Sequence, residues 1–183
     1  HALFQTVSIA STTGFASSDF NLWPDFSRYV LLLLMFVGGC SGSTAGGMKV
    51  SRFVILLKVT WAELRRTIHP RLVYSIKMGG RNVPPVVVGN VTRFFYLYMI
   101  VFSTLTLLIS LTGLSMLDSM GIIAACMSSV GPAFGIVGPT ATYADVSTFG
   151  RLVVIAAMIL GRLEIFTLLI IMRPDFWRVK RNW

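Results

Sequence analysis

Ser11-Thr12-Thr13-Gly14-Phe15 sets hydroxyl side chains ahead of a glycine and an aromatic, and the polar run 16–21 follows. The chemistry open to such a stretch is the dehydration of an ion. Potassium filters read Thr-Val-Gly-Tyr-Gly, and their consecutive backbone carbonyls take the place of the ion's water shell. Glycine belongs where that backbone turns, because it enters left-handed conformations without steric cost. A single Thr-Thr-Gly-Phe equally fits a surface turn. What favours an ion site is a second stretch, Ser128-Ser129-Val130-Gly131-Pro132, whose glycine lies 117 positions after Gly14. The candidate ion-binding residues are therefore Thr12, Thr13, Gly14 and Phe15 in one copy, and Ser129, Val130, Gly131 and Pro132 in the other.

A different chemistry belongs to Gly38-Gly39-Cys40-Ser41-Gly42-Ser43-Thr44-Ala45-Gly46-Gly47, with five glycines in ten positions directly after the apolar run 29–37. Non-helical backbone at membrane depth persists only where protein buries it or where it lines a wet cavity. Gly38, Gly39, Gly42, Ser43, Thr44, Ala45, Gly46 and Gly47 are accordingly candidates for a gate or constriction. A Walker-type phosphate loop needs Gly-Lys-Ser/Thr in direct succession after a strand, and here Met48 separates Gly47 from Lys49. Close helix packing through small residues explains two glycines four apart but not the whole tract. An intramembrane hydrolase using Ser41 or Ser43 lacks a histidine, since His69 falls in a basic connection and His1 at the chain's start. No enzymatic activity is expected.

Arg162 and Glu164 interrupt another apolar run. A charge at mid-bilayer costs roughly 2.5–3.5 kcal/mol on insertion scales and usually faces water or a bundle interior. Arg173 marks the next interface eleven residues on, about 16 Å along a helix, which is long for snorkelling. Arg162 is therefore expected to face a pore, with Glu164 as its candidate partner.

The elements that must hold these residues read as an all-α membrane protein. The 183 residues are 55% hydrophobic and 13% charged, against about 25% charged in a soluble domain. Residues 1–12 and 116–127 are apolar but too short to span a bilayer, which takes about 20 residues. Each is expected to be a re-entrant helix ending at a candidate turn. A descending helix starts at Arg28, breaks over 38–47, and resumes from Met48 to about Thr67. Residues 88–111 span outward, and 149–172 descend again. Gly46 follows Gly14 by 32 positions and Gly161 follows Gly131 by 30. The unit is thus a first span (M1), a pore helix with filter, and a second span (M2). Residues 1–67 form one repeat lacking its first span, 68–87 a connection, and 88–183 a complete repeat with a short tail. With that span missing, the sequence is expected to be a fragment of something longer.

Charge sets the orientation. The net charge is +9, with Lys49–Arg93 and Arg173–Trp183 holding thirteen bases and two acids. By the positive-inside rule the connection 68–87 and the C-terminus are cytoplasmic. No basic patch with interleaved aromatics calls for nucleic acid. Asn90-Val91-Thr92 matches a glycosylation sequon, but its basic surroundings place it inside. Trp23, Trp61, Trp177 and Trp183 suit interfacial belts. Cys40 and Cys126 both fall at membrane depth, where free buried thiols are expected rather than a disulfide.

Taken with Ile68-His69-Pro70, the stretches 11–15, 38–49 and Gly161-Arg162-Leu163-Glu164-Ile165-Phe166-Thr167-Leu168-Leu169 resemble the Trk/Ktr/HKT superfamily of potassium transporters, most closely its bacterial TrkH/TrkG type. Gly131-Pro132-Ala133-Phe134-Gly135 resembles the family's fourth filter, with alanine where another glycine is expected. The resemblance implies four non-identical pore repeats in one polypeptide. This chain would match the third from its pore helix onward and all of the fourth, so the remaining repeats would be its nearest partners. It also implies K⁺ as the transported ion, held by filter carbonyls, with 38–47 as an intramembrane gate and Arg162 in the pore below. A homodimer in the bacterial inner membrane, controlled by a cytosolic nucleotide-binding ring of TrkA type, completes the picture. Any nucleotide would sit on that ring, and no cofactor on this chain. The rival is an alternating-access carrier whose broken helices bind substrate at mid-membrane; duplicated short helices with filter-like glycines fit it less well.

Overall fold

A computed structural model describes residues 1–69 and 75–162. Six helices carry the fold: α1 (Ala2–Ala10), α2 (Asp25–Phe36), α3 (Val50–Ile68), α4 (Pro85–Ser110), α5 (Met116–Met127) and α6 (Thr148–Arg162). Glu164, Arg173, Trp177, Trp183 and the lower part of the last expected span lie outside the described residues.

The helix limits follow from local chemistry. Pro24 precedes α2, and Asp25 in its first turn faces the positive end of the helix dipole while pairing with Arg28 at 3.1 Å. Ser115 caps α5 by accepting the Asp118 amide at 3.2 Å, which satisfies one of the otherwise unpaired first-turn donors. α4 begins at Pro85, three residues before the expected start, because proline at the first helical position has φ preset and no amide to leave unpaired. Its 26 residues extend about 39 Å, and it is the one helix among those described that is long and apolar enough to cross a membrane.

Two departures concern the glycine tract. The helix does not simply break and resume at Met48. β1 (Val37–Gly38) pairs in parallel with β2 (Met48–Lys49), Val37 opposite Met48, and helix restarts at Val50. A second two-residue ladder, β3 (Lys77–Met78) with β4 (Arg81–Asn82), is antiparallel and lies in the basic connection. Cys126 is the buried free thiol expected, but Cys40 is exposed, because it lies in the exposed stretch 40–44 of the tract.

α5 occupies the centre. Ile122, Ile123, Ala124, Ala125 and Met127 are fully buried, between α2, α4 and α6. From Gly121 to Met127 the helix is covered on every side, which suits an apolar surface on every side. The segment after α1 meets the segment after α5: Phe20 lies edge-on to Phe134 at 5.5 Å between ring centroids. Asn21 clasps Gly135 at both backbone groups, accepting its amide at 3.0 Å and donating to its carbonyl at 3.3 Å.

Candidate functional site

α1 and α5 end alike. The Thr12 amide donates to Ile9 at 3.0 Å and the Thr13 amide to Ser8 at 2.9 Å; the Ser129 amide donates to Cys126 at 3.2 Å and the Val130 amide to Ala125 at 2.9 Å. This is the double hydrogen bond of a Schellman ending, whose left-handed residue is usually glycine. Here it is Thr12 (φ 55°) and Ser129 (φ 57°), the two non-glycine residues with positive φ among those described. Such a conformation costs about 1–3 kcal/mol and gathers at functional sites. Two residues on, Gly14 (φ 79°) and Gly131 (φ 100°) are again left-handed.

The two turns touch. A Cβ on Gly14 would stand 1.9 Å from the Val130 carbonyl oxygen, so glycine is required there for space as well as for φ. Around Gly131 the space is open, and φ alone demands glycine. Hydroxyls fix one carbonyl in each copy: Ser8 Oγ donates to Phe15 at 2.6 Å, and Tyr143 Oη donates to Gly131 at 2.7 Å. Burial raises the Tyr143 phenol above its ordinary pKa, so it remains a neutral donor. Gly14, Phe15, Gly131 and Pro132 border one cavity of about 360 Å³. Gly131 also borders a second, of about 570 Å³, shared with Ser129 and Arg162. The second glycine turn thus stands between two hollows.

The glycine tract packs on these turns. The Gly46 amide donates to Thr12 Oγ1 at 3.2 Å, and a Cβ on Gly46 would lie 2.0 Å from the Ser128 carbonyl. Gly38 is confined by the β1–β2 ladder, where a Cβ would meet the Gly46 carbonyl at 2.3 Å. Gly42 has open space and a φ of 87°, a simple turn requirement. A Cβ on Gly161 would approach the Met127 carbonyl to 2.1 Å. The glycines matched by spacing, Gly46 and Gly161, therefore both press on the end of α5. Three successive tract carbonyls face cations: Lys49 Nζ donates to Ser43 and to Ala45 (3.1 Å), and Arg162 Nη1 donates to Thr44 at 2.7 Å.

The expected residues are largely brought together: Thr12, Gly14, Val130, Gly46, Gly47 and Arg162 surround the ends of α1 and α5. Four contributors escaped the sequence reading. Lys49 carried a signal, a cation beside a glycine tract at membrane depth. Ser8, Asn21 and Tyr143 carried none, since each acts through a segment folded back against it.

Two short helices, each ended by a left-handed hydroxyl residue with a glycine two positions on, stand beside one helix long and apolar enough to cross a membrane. The family model described as "TrkH: Cation transport protein" matches residues 1–178, and the chain belongs to that family. The Trk system potassium uptake protein TrkH of Vibrio parahaemolyticus is 46% identical over 177 residues, which are 97% of this chain and 36% of the relative. TrkH of Escherichia coli strain K12 is 41% identical over 97% of this chain and 36% of its own length. TrkG of the same strain is 35% identical with the same coverage. The crystal structure of the potassium transporter TrkH from Vibrio parahaemolyticus aligns with a TM-score of 0.86 at 45% identity, covering 96% of this chain and 37% of that one. The chain spans about a third of the length of these relatives. The superfamily resemblance read from the glycine tract and the Gly-Arg-Leu-Glu stretch holds.

Proposed function

We propose that this chain is part of the pore-forming subunit of a K⁺ uptake system and supplies fewer than two of the pore's four walls, the third from its pore helix onward and the whole fourth. Residues 1–67 belong to the third pore repeat and 88–183 to the fourth. In this reading Thr12–Phe15 and Ser129–Pro132 are filter segments whose carbonyls replace the water of K⁺. The tract 38–47 is the gate. The remaining repeats, a second subunit and a cytosolic nucleotide-binding ring are its partners, in a bacterial inner membrane with 68–87 and the C-terminus cytoplasmic. The observation that carries this reading is the same strained ending on α1 and α5, with Gly131 between two hollows. Strain repeated at two sequence-distant helix ends is hard to account for by packing alone.

A dehydrated ion passing the filter meets the tract next. Its Ser43–Ala45 carbonyls each accept from Lys49 or Arg162, so the tract is latched with two fixed cations beside the ion's path. The Arg162 guanidinium stays charged at physiological pH. At about 6 Å and an effective dielectric near 20 it would repel K⁺ by roughly 3 kcal/mol. Release of the latch would free the carbonyls and move the tract aside. The test is planar-bilayer recording of the full-length protein with its Gly14→Ser variant. Unitary K⁺ currents, with a Gly14→Ser reversal potential moved toward that of Na⁺ in mixed gradients, are expected. Smooth saturable flux without unitary events would replace the pore with a carrier.

A further inference from the structure

The two turns align without a gap, Ser8–Phe15 against Ala125–Pro132, but they are restrained differently. In the first, Ser8 holds the Phe15 carbonyl from within the helix. Its counterpart, Ala125, has no hydroxyl. The second turn is restrained instead from outside, by a residue of the loop that joins α5 to α6. Tyr143 begins a short 3-10 turn (Tyr143–Asp145), closed by the Val146 amide on the Tyr143 carbonyl at 3.3 Å. Its ring packs against the buried core. Its hydroxyl lies 2.7 Å from the Gly131 carbonyl oxygen and 3.4 Å from Cys126 Sγ.

Gly131 is where such a restraint has most effect. Glycine has the widest backbone freedom, and beyond its chain neighbours no atom stands within 4 Å of where its Cβ would be. Sterics therefore do little to hold this peptide. A carbonyl oxygen has two lone pairs, so one can accept from Tyr143 while the other stays available, and Gly131 and Tyr143 both line one cavity.

We infer that Tyr143 is a positioning residue for ion selectivity, its hydroxyl fixing the Gly131 carbonyl so that this wall of the filter fits K⁺ and does not contract onto Na⁺. The inference rests on the filter reading above and adds to it a residue outside the filter segments. A carbonyl held at fixed reach keeps the ring wide. Released, it can swing inward and serve a smaller ion. A net hydrogen bond of about 1 kcal/mol corresponds to about a fivefold change in preference.

Tyr143→Phe removes one oxygen and keeps the packed ring. In the full-length protein it should lower the K⁺/Na⁺ permeability ratio about fivefold and raise the KM for K⁺ uptake, with a much smaller change in maximal rate. Gly131→Ser, measured alongside, separates the two layers of argument. An unchanged ratio in Tyr143→Phe with a shifted ratio in Gly131→Ser overturns the role of Tyr143 and leaves the filter intact. Unchanged ratios in both variants remove the filter assignment, and the inference with it. A Tyr143→Phe protein that loses maximal rate at constant ratio, or fails to accumulate in the membrane, shows a merely structural hydroxyl and also overturns the proposal.

Discussion

Gly14 and Gly131 occupy matching positions for different physical reasons. Both have positive φ, but only Gly14 is pressed against a neighbour, the Val130 carbonyl. Alanine at Gly131 should therefore cost about 1 kcal/mol, the usual penalty for a side chain in that backbone region. Alanine at Gly14 must in addition push apart the two turns and should cost several kcal/mol more. Thermal unfolding of the full-length protein in detergent checks this, with Gly14→Ala falling well below Gly131→Ala. Equal losses would mean that the turns can separate without penalty. The two glycines were legible in the sequence because a hydroxyl-rich stretch with glycine occurs twice. Their contact with one another was not, since no one-dimensional signal reports a distance across 117 positions.

α5 was legible to the residue, its limits set by Ser115 and by the polar Ser128-Ser129 pair. The glycine tract was legible as an irregular segment, and its β1–β2 ladder was not, because two residues are too few to show alternation. Arg162 stood out as a charge in an apolar run, and among the described residues the Thr44 carbonyl is a partner to it. That contact makes the tract and the end of α6 one proposed element. Arg162→Ala should open the latch and raise basal K⁺ flux, about tenfold for a charged hydrogen bond of about 1.5 kcal/mol. Arg162→Lys should retain most of the closure, since an ammonium still reaches carbonyls, as Lys49 does. The measurement is open probability and single-channel conductance for both variants. Identical behaviour of alanine and lysine variants, at parental flux, would take Arg162 out of the gate.

Across the whole molecule, the two copies are joined behind their turns by the Asn21 clasp on Gly135, the Phe20–Phe134 pair, and Arg28 seated 5.6 Å over the Phe134 ring. Asn21→Ala would strip both hydrogen bonds from Gly135 and should destabilise the protein by about 2 kcal/mol. Its K⁺/Na⁺ preference should fall in parallel, as Gly131 lies four residues upstream. Denaturant midpoints and reversal potentials on one preparation test this, and a stability loss with parental preference would confine Asn21 to folding. Large apolar side chains stay exposed on α1 and α6, among them Leu3, Val7, Leu152 and Ile155, surfaces that lipid or the rest of a longer polypeptide would cover. The unlike supports of the two turns, Ser8 within one helix and Tyr143 from a distant loop, bear on how the proposed pore would change over generations. In a ring of four identical chains every substitution arrives four times at once. Where each wall has its own support, a substitution arrives once, and selectivity can drift in small increments with three walls left as they were.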